Sequence, residues 1–180
     1  MRFILILILS AIQLPLIAQQ VNFGNKATVY LVRHAEKGQG KDPVLTIEGN
    51  KRAGDLMRLL KNKKIARIYV TEFKRTQNTG DSLRIQLDID TVHYAADSSQ
   101  ANVLLDKIKA NGDTNRSILI IGHSNTVPHL IRALGLPVFP FGDLPDNEFD
   151  NIFVLKFKDG KASVKKTKYG SLSTGAAILY

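Results

Sequence analysis

The sequence predicts an α/β fold: a three-layer sandwich with a mostly parallel central sheet, helices on both faces, and a C-terminal edge hairpin. Three observations carry that expectation. From Lys26 to Leu134, short β-branched runs alternate with helical stretches, the order of parallel strands joined by covering helices. The main strands in this stretch are largely apolar, the pattern of strands buried on both sides. After Asn151 the pattern changes to two strands split by Asp159-Gly160, a dipeptide favoured in two-residue hairpin turns.

The elements follow in order. Ala27–His34 (ATVYLVRH) is a buried strand, and Gly38, Gly40 and Pro43 mark the loop after it. Thr46 is a helix N-cap with Glu48 in the first turn, where a carboxylate suits the helix dipole. Ala53, Leu56, Met57, Leu59 and Leu60 give that helix an apolar face. Lys51, Arg52, Arg58, Lys61, Lys63 and Lys64 are assigned to its solvated face. Ile65–Thr71 is a second buried strand and Arg75–Leu87 a second helix. Asp88–Ala95 is a shorter strand, and Ser98–Ala110 a helix that buries Val103, Leu104, Leu105 and Ile108. Ser117–Ser124 is the most apolar strand; it leads into a helix over Thr126–Leu134 that Gly135 terminates. Residues 136–150 form a loop with Pro and Phe, and Asn151–Lys168 is the hairpin. No repeat or linker interrupts the run, so one domain is expected over residues 24–168, with a C-terminal tail over 169–180.

The first eighteen residues stand apart. MRFILILILSAIQLPLIA carries Arg2 and then an apolar run to Ile17, shorter than the ~20 residues that cross a bilayer. With Ala18 before Gln19-Gln20, residues 1–18 read as a secretory signal peptide. The expectation is a periplasmic or extracellular protein with no stable membrane insertion after cleavage. The chain has no cysteine, which excludes disulfides, thiolate metal sites and a cysteine nucleophile. It carries 25 Lys+Arg against 16 Asp+Glu, a formal charge of +9, which favours anionic partners and says little about fold. Lys156, Lys158, Lys161, Lys165, Lys166 and Lys168 read as protection of an edge hairpin against strand addition. No aromatic-interleaved basic platform accompanies them, so no nucleic-acid partner is expected.

In open α/β sheets, ligands bind at the carboxyl ends of the strands. The polar residues that fall there agree chemically. The first strand ends in Arg33-His34, the second in Thr71 with Arg75 four residues on, and the last parallel strand in Gly122-His123-Ser124. A neutral imidazole can attack phosphorus and so split one displacement into two. Arginines match phosphoryl oxygens bidentately and stabilise transferring charge. A helix N-terminus after Gly122 adds N–H donors for the same anion. Taken singly, each of these residues reads as a surface pair or a hydrogen-bonded core group; their convergence points to phosphoryl chemistry.

Four blocks resemble the motifs of the histidine phosphatase superfamily, the phosphoglycerate mutase-like clan. VYLVRHAEKG is similar to its Arg-His-Gly signature, and VLTIEGNKRA to its Leu-Thr-x-x-Gly-x-x-Arg-Ala helix start. IYVTEFKRTQNT resembles its strand followed by Ser-x-x-x-Arg-x-x-x-Thr, and LIIGHSNTVPHLIRALG its Gly-His block. The small SixA-like branch looks closest, with an RHAEK-type signature. Ala35 stands where many members have Gly, and Thr71 where Ser is usual, keeping the hydroxyl. The resemblance implies His34 as the phosphorylated nucleophile, with Arg33, Arg75 and His123 completing the phosphate pocket and Ser124 beside them. The proton donor differs between branches; Glu36 is the first candidate, and Glu72, Asp97 and Glu148 are weaker ones. Asn147-Glu-Phe-Asp-Asn151 resembles an acidic–aromatic–acidic turn of the family and is read as structural.

The glycine-rich stretch Gly38-Gln-Gly-Lys41 lacks the first glycine and the Ser/Thr of a P-loop. His123 and His129 have no carboxylate in a ligand pattern, and His129 and His93 are read as structural, so no metal site is expected. The functional expectation is therefore an exported, metal-independent histidine phosphatase that needs no cofactor and acts on phosphorylated small molecules or phosphoproteins. A mutase-like phosphotransferase is disfavoured, because it must shield its intermediate from water. A non-catalytic phosphate- or polyanion-binding protein is the alternative from another class.

Overall fold

The computed structural model describes residues 21–97 and 99–173. The signal-peptide reading of residues 1–18 lies outside them. The elements are β1 (Thr28–Arg33), α1 (Ile47–Leu60), β2 (Ile65–Thr71), α2 (Lys74–Leu87), β3 (Thr91–Tyr94), α3 (Gln100–Ala110), β4 (Ser117–Gly122), α4 (Thr126–Ala133), β5 (Asn151–Lys158) and β6 (Lys161–Lys168), with a 3-10 turn at Asp113–Asn115 before β4. The strands form one six-stranded sheet in the order β3-β2-β4-β1-β5-β6. β1 to β4 are parallel, and β5 and β6 continue the sheet antiparallel. This is the three-layer α/β sandwich with its edge hairpin.

The period-2 alternation of the strands sorts their side chains to two faces. Val29, Leu31, Ile118 and Ile120 pack under α3 and α4, where Leu104, Ile108, Leu130 and Ile131 meet them. Val32, Leu119 and Ile121 face the other way, onto Leu56 and Leu60 of α1 and Leu83 of α2. Each such side chain, buried in full, contributes about 1.5–3 kcal/mol. Thr46 caps α1 by accepting from the Gly49 amide at 3.1 Å. The hairpin turns at Asp159-Gly160 with φ of 50° and 73°, the left-handed pair that a two-residue turn of matching twist requires.

Two findings depart from the sequence reading. Arg52, expected on the solvated face of α1, is only 5 % exposed. Its Nε and Nη2 donate to the Glu36 carboxylate at 2.7–3.0 Å and its Nη1 to the Ser171 carbonyl at 2.9 Å. Residues 169–173, placed in a tail, pack onto the domain: Tyr169 is buried, and its amide donates to the Asp150 carbonyl at 2.9 Å. The 3-10 turn at Asp113–Asn115 is an addition to the elements read from sequence. It is held by Asp113, whose fully buried carboxylate accepts from Arg67 Nε and the Tyr69 hydroxyl, both at 2.8 Å.

β1 and β4 are neighbours, yet the chain leaves β1 toward α1 on one face and leaves β4 toward α4 on the other. The divergence opens a crevice at their carboxyl ends. Among the described residues, no helix is long and apolar enough to cross a membrane.

Candidate active site

The β1–β4 register places Arg33 opposite Gly122, so His34 and His123 are the next residues out on adjacent strands. The His34 amide donates to the Gly122 carbonyl at 2.9 Å, and the two imidazole centroids lie 5.4 Å apart. Arg33, His34, Arg75, His123 and Ser124 all line one polar cavity of about 330 Å³. Lys37, Phe73, Asn125 and Asp146, none of them singled out from sequence, line it too.

The tautomer of His34 follows from its neighbour. Its Nδ1 lies 2.8 Å from the Ala35 carbonyl oxygen; a carbonyl only accepts, so Nδ1 carries the proton and Nε2 keeps the lone pair. Burial, and next the charges of Arg33, His123 and Arg75, push the His34 pKa down to about 3, against the opposing pull of that hydrogen bond. The ring is therefore neutral and unprotonated at Nε2 across the ordinary pH range. His123 is likewise lowered to about 4, by burial and then by Arg75 and Arg33.

His123 is oriented by a line of hydroxyls. Thr76 Oγ1 donates to the Phe73 carbonyl at 2.8 Å, which leaves it to accept from Thr71 Oγ1 at 2.9 Å. Thr71 Oγ1 in turn accepts from His123 Nε2 at 3.1 Å. The Thr71 hydroxyl thus takes a place that the usual Ser could also take. The His123 amide donates to Thr126 Oγ1 at 2.8 Å, so it is withdrawn from the N–H donors expected around an anion.

The two arginines are held differently. Arg33 Nη1 donates to the carbonyls of Pro145, Asp146 and Glu148 at 2.8–3.3 Å. Phe73 lies under the Arg75 guanidinium, 4.1 Å from ring centre to Cζ, and Asp42 stands 3.9 Å from its Nη1. The Nε atoms of both arginines are buried and have no partner among the described residues, the kind of donor an oxyanion satisfies.

The proposed acid is placed elsewhere. Glu36 does not line this cavity; it is clamped by Arg52 and lines a separate one with Thr46 and Ser171. Its carboxylate is an ion-pair partner of α1, which corrects the sequence reading. Glu72, Asp97 and Glu148 also lie outside the cavity lining. Glu72 accepts from the Ala96 amide, Asp97 from Ser99, and Glu148 from Asn151 and Lys168. Among the described residues, the only carboxylate in the lining is Asp146, whose side chain is fully solvent-exposed and 3.8 Å from Arg33 Nη2. Its signal was weak: it sits in an irregular loop, with no periodicity to aim it. His93 and His129 are exposed, and no group of three His, Cys, Asp or Glu among the described residues is arranged to hold a metal ion.

A crevice at the β1–β4 switch point, with paired imidazoles and paired guanidiniums, is a class of site built for a tetrahedral anion. Residues 29–96 match the model of the histidine phosphatase superfamily (branch 1). No curated protein sequence matches the chain. Among solved structures it is similar to the SixA protein of Agrobacterium tumefaciens, at 19% identity and TM-score 0.57, covering 80% of this chain and 97% of that one. It is also similar to Bacillus stearothermophilus YhfR, at 17% identity and TM-score 0.61, covering 81% and 98%. A mutant phosphoserine phosphatase of Entamoeba histolytica, solved in complex with phosphoserine, aligns at 17% identity and TM-score 0.52, covering 81% and 97%. These likenesses are of fold.

Proposed function

We propose that the protein is a phosphatase that works through a phosphohistidine on Nε2 of His34. The observation that carries this reading is the neutral His34 ring, its Nδ1–H spent on Ala35, inside a cavity that also holds Arg33, Arg75 and His123. In the first step the Nε2 lone pair forms a P–N bond while the P–O bond to the leaving group breaks. The leaving oxygen keeps the electron pair and takes a proton from water or from Asp146. In the second step water attacks phosphorus, the P–N bond breaks, and its electron pair returns to Nε2. Arg33 and Arg75 stabilise the charge on the equatorial oxygens. His123 gains a proton more readily beside an oxyanion and then donates to it.

The same reading holds that no metal or cofactor is needed, because the nucleophile and the charge stabilisation both come from side chains. The near-complete coverage of small SixA-type neighbours supports an open site without a large cap. The N-terminal segment, read from sequence, supports action outside the cytoplasm, which fractionation and N-terminal sequencing of the mature protein would check.

The test is incubation with an aryl phosphate ester, with and without chelator, followed by a denaturing alkaline quench that preserves P–N bonds. The wild type should yield an acid-labile phosphoprotein and steady hydrolysis. Wild type that is silent between acid and neutral pH, or a His34→Ala variant that keeps full activity, would remove the reading.

A further inference from the structure

Thr71, Arg75 and Thr79 stand four residues apart, and the site as described uses the first two. Thr79 is left over. It is fully buried on the inner face of α2, one turn beyond Arg75. Its Oγ1 donates to the Arg75 carbonyl at 2.7 Å and accepts from the Ala35 amide at 2.9 Å. Neither direction can be reversed, since a carbonyl only accepts and an amide N–H only donates.

The partner at the other end is the peptide that matters most to His34. The Ala35 carbonyl holds His34 Nδ1, and the Ala35 amide is the group Thr79 holds. On either side the chain is pinned by other partners: the His34 amide on Gly122 and the Glu36 carbonyl on the Thr46 amide. Among the described residues, Thr79 makes the one side-chain hydrogen bond between Ala35 and α2.

We infer that Thr79 is a positioning residue: its single hydroxyl ties the residue that selects the His34 tautomer to the helical turn that carries Arg75. Nucleophile and guanidinium are thereby held in one register, although they come from different elements. The consequence for rate rests on the phosphohistidine reading above; the tautomer does not.

The experiment compares Thr79→Val, which keeps the shape and loses the hydroxyl, with Thr79→Ser, which keeps the hydroxyl. Long-range ¹H–¹⁵N spectra of the histidines report which ring nitrogen of His34 carries the proton. Wild type and Thr79→Ser should show Nδ1–H, and Thr79→Val a mixture of tautomers. Phosphoenzyme formation should slow about 10- to 100-fold in Thr79→Val, the range expected for a small misplacement of reacting groups, and stay within about threefold in Thr79→Ser. A folded Thr79→Val with His34 wholly Nδ1–H and an unchanged rate overturns the inference, as does an equal slowing in both variants. If Thr79→Val does not fold, the wild type decides: an Ala35 amide that exchanges with solvent as fast as an exposed loop overturns the link, and a protected one supports it. Wild type that forms no phosphoenzyme defeats the functional reading alone, because the tautomer comparison still decides the role of Thr79.

Discussion

The Arg33 guanidinium lies 4.2 Å above the centre of the Phe149 ring, and the same ring sits 6.1 Å from that of His34. Phe149 is held in turn by its own backbone, whose amide donates to Ser173 Oγ at 2.8 Å. A residue of the post-hairpin segment thereby supports the ring that underlies Arg33.

Replacing Phe149 by Leu keeps an apolar side chain and removes the aromatic face. Cation–π contacts contribute about 0.5–2 kcal/mol, so inhibition by inorganic phosphate or tungstate should weaken roughly 2- to 30-fold by that energy. An inhibition constant unchanged in a folded Phe149→Leu protein would show that the three carbonyls alone fix Arg33.

Acid should cost stability. His34 and His123 have folded pKa values depressed to about 3 and about 4, below the unfolded value near 6.5. Between those limits the unfolded chain binds more protons than the folded one, so stability rises with pH. It is fully present above about pH 6.5 and falls as pH drops toward 4, by at most about 1.4 kcal/mol per pH unit for each histidine. Denaturant titrations from pH 7 to pH 4 measure this slope. A His34→Asn, His123→Asn double variant should be flatter over that window, and an equal slope in both proteins would count against it.

Glu36 and Arg52 should matter to folding and little to chemistry. Arg52→Met leaves the Glu36 carboxylate half-buried without its partner, a change of a kind that costs about 3–5 kcal/mol when both groups are buried. The observed loss should fall toward the lower end, because Glu36 keeps some contact with water. Glu36→Gln should lower the melting temperature while kcat stays within about twofold. A loss of kcat by a factor of about 100 or more in a folded Glu36→Gln protein would restore it as the acid.

The leaving group should control the rate. The carboxylate in the cavity lining is that of solvent-exposed Asp146, so water shares with it the task of supplying the leaving group's proton. Aryl phosphates and phosphoramidates, whose leaving groups need little help, should outpace alkyl phosphates by about 100-fold or more, the scale of general acid catalysis. Asp146→Asn should slow alkyl esters more than aryl ones. Equal rates across a series of leaving-group pKa values would require an acid not identified in the cavity.

The central layout was legible because it rests on local chemistry. Apolar runs with β-branched residues marked β1, β2 and β4, and the residues after β1 and β4, His34 and His123, line the crevice. Glu36 is not legible because proximity in sequence to His34 says nothing about side-chain direction; the Ala35 backbone between them is held at both ends, and Glu36 pairs with Arg52. Arg52 misled because helical periodicity assigns a charged residue outward, and only the tertiary fold supplies a carboxylate and two carbonyls to satisfy it. Asp146 and Phe149 lie in a loop whose path is set by Arg33 and the post-hairpin segment, contacts far apart in sequence.

β4 lies between β1 and β2 in the sheet although it follows both in the chain. His34 and His123 therefore meet only after the last parallel strand has been threaded into a gap left by earlier ones, a long-range closure that costs loop entropy before it gains contacts. A partly folded chain can own every residue of the pocket and still be inert. On the phosphohistidine reading proposed above, reactivity is tied to completion of the sheet, and an extended polypeptide carries no competent nucleophile until it has finished folding.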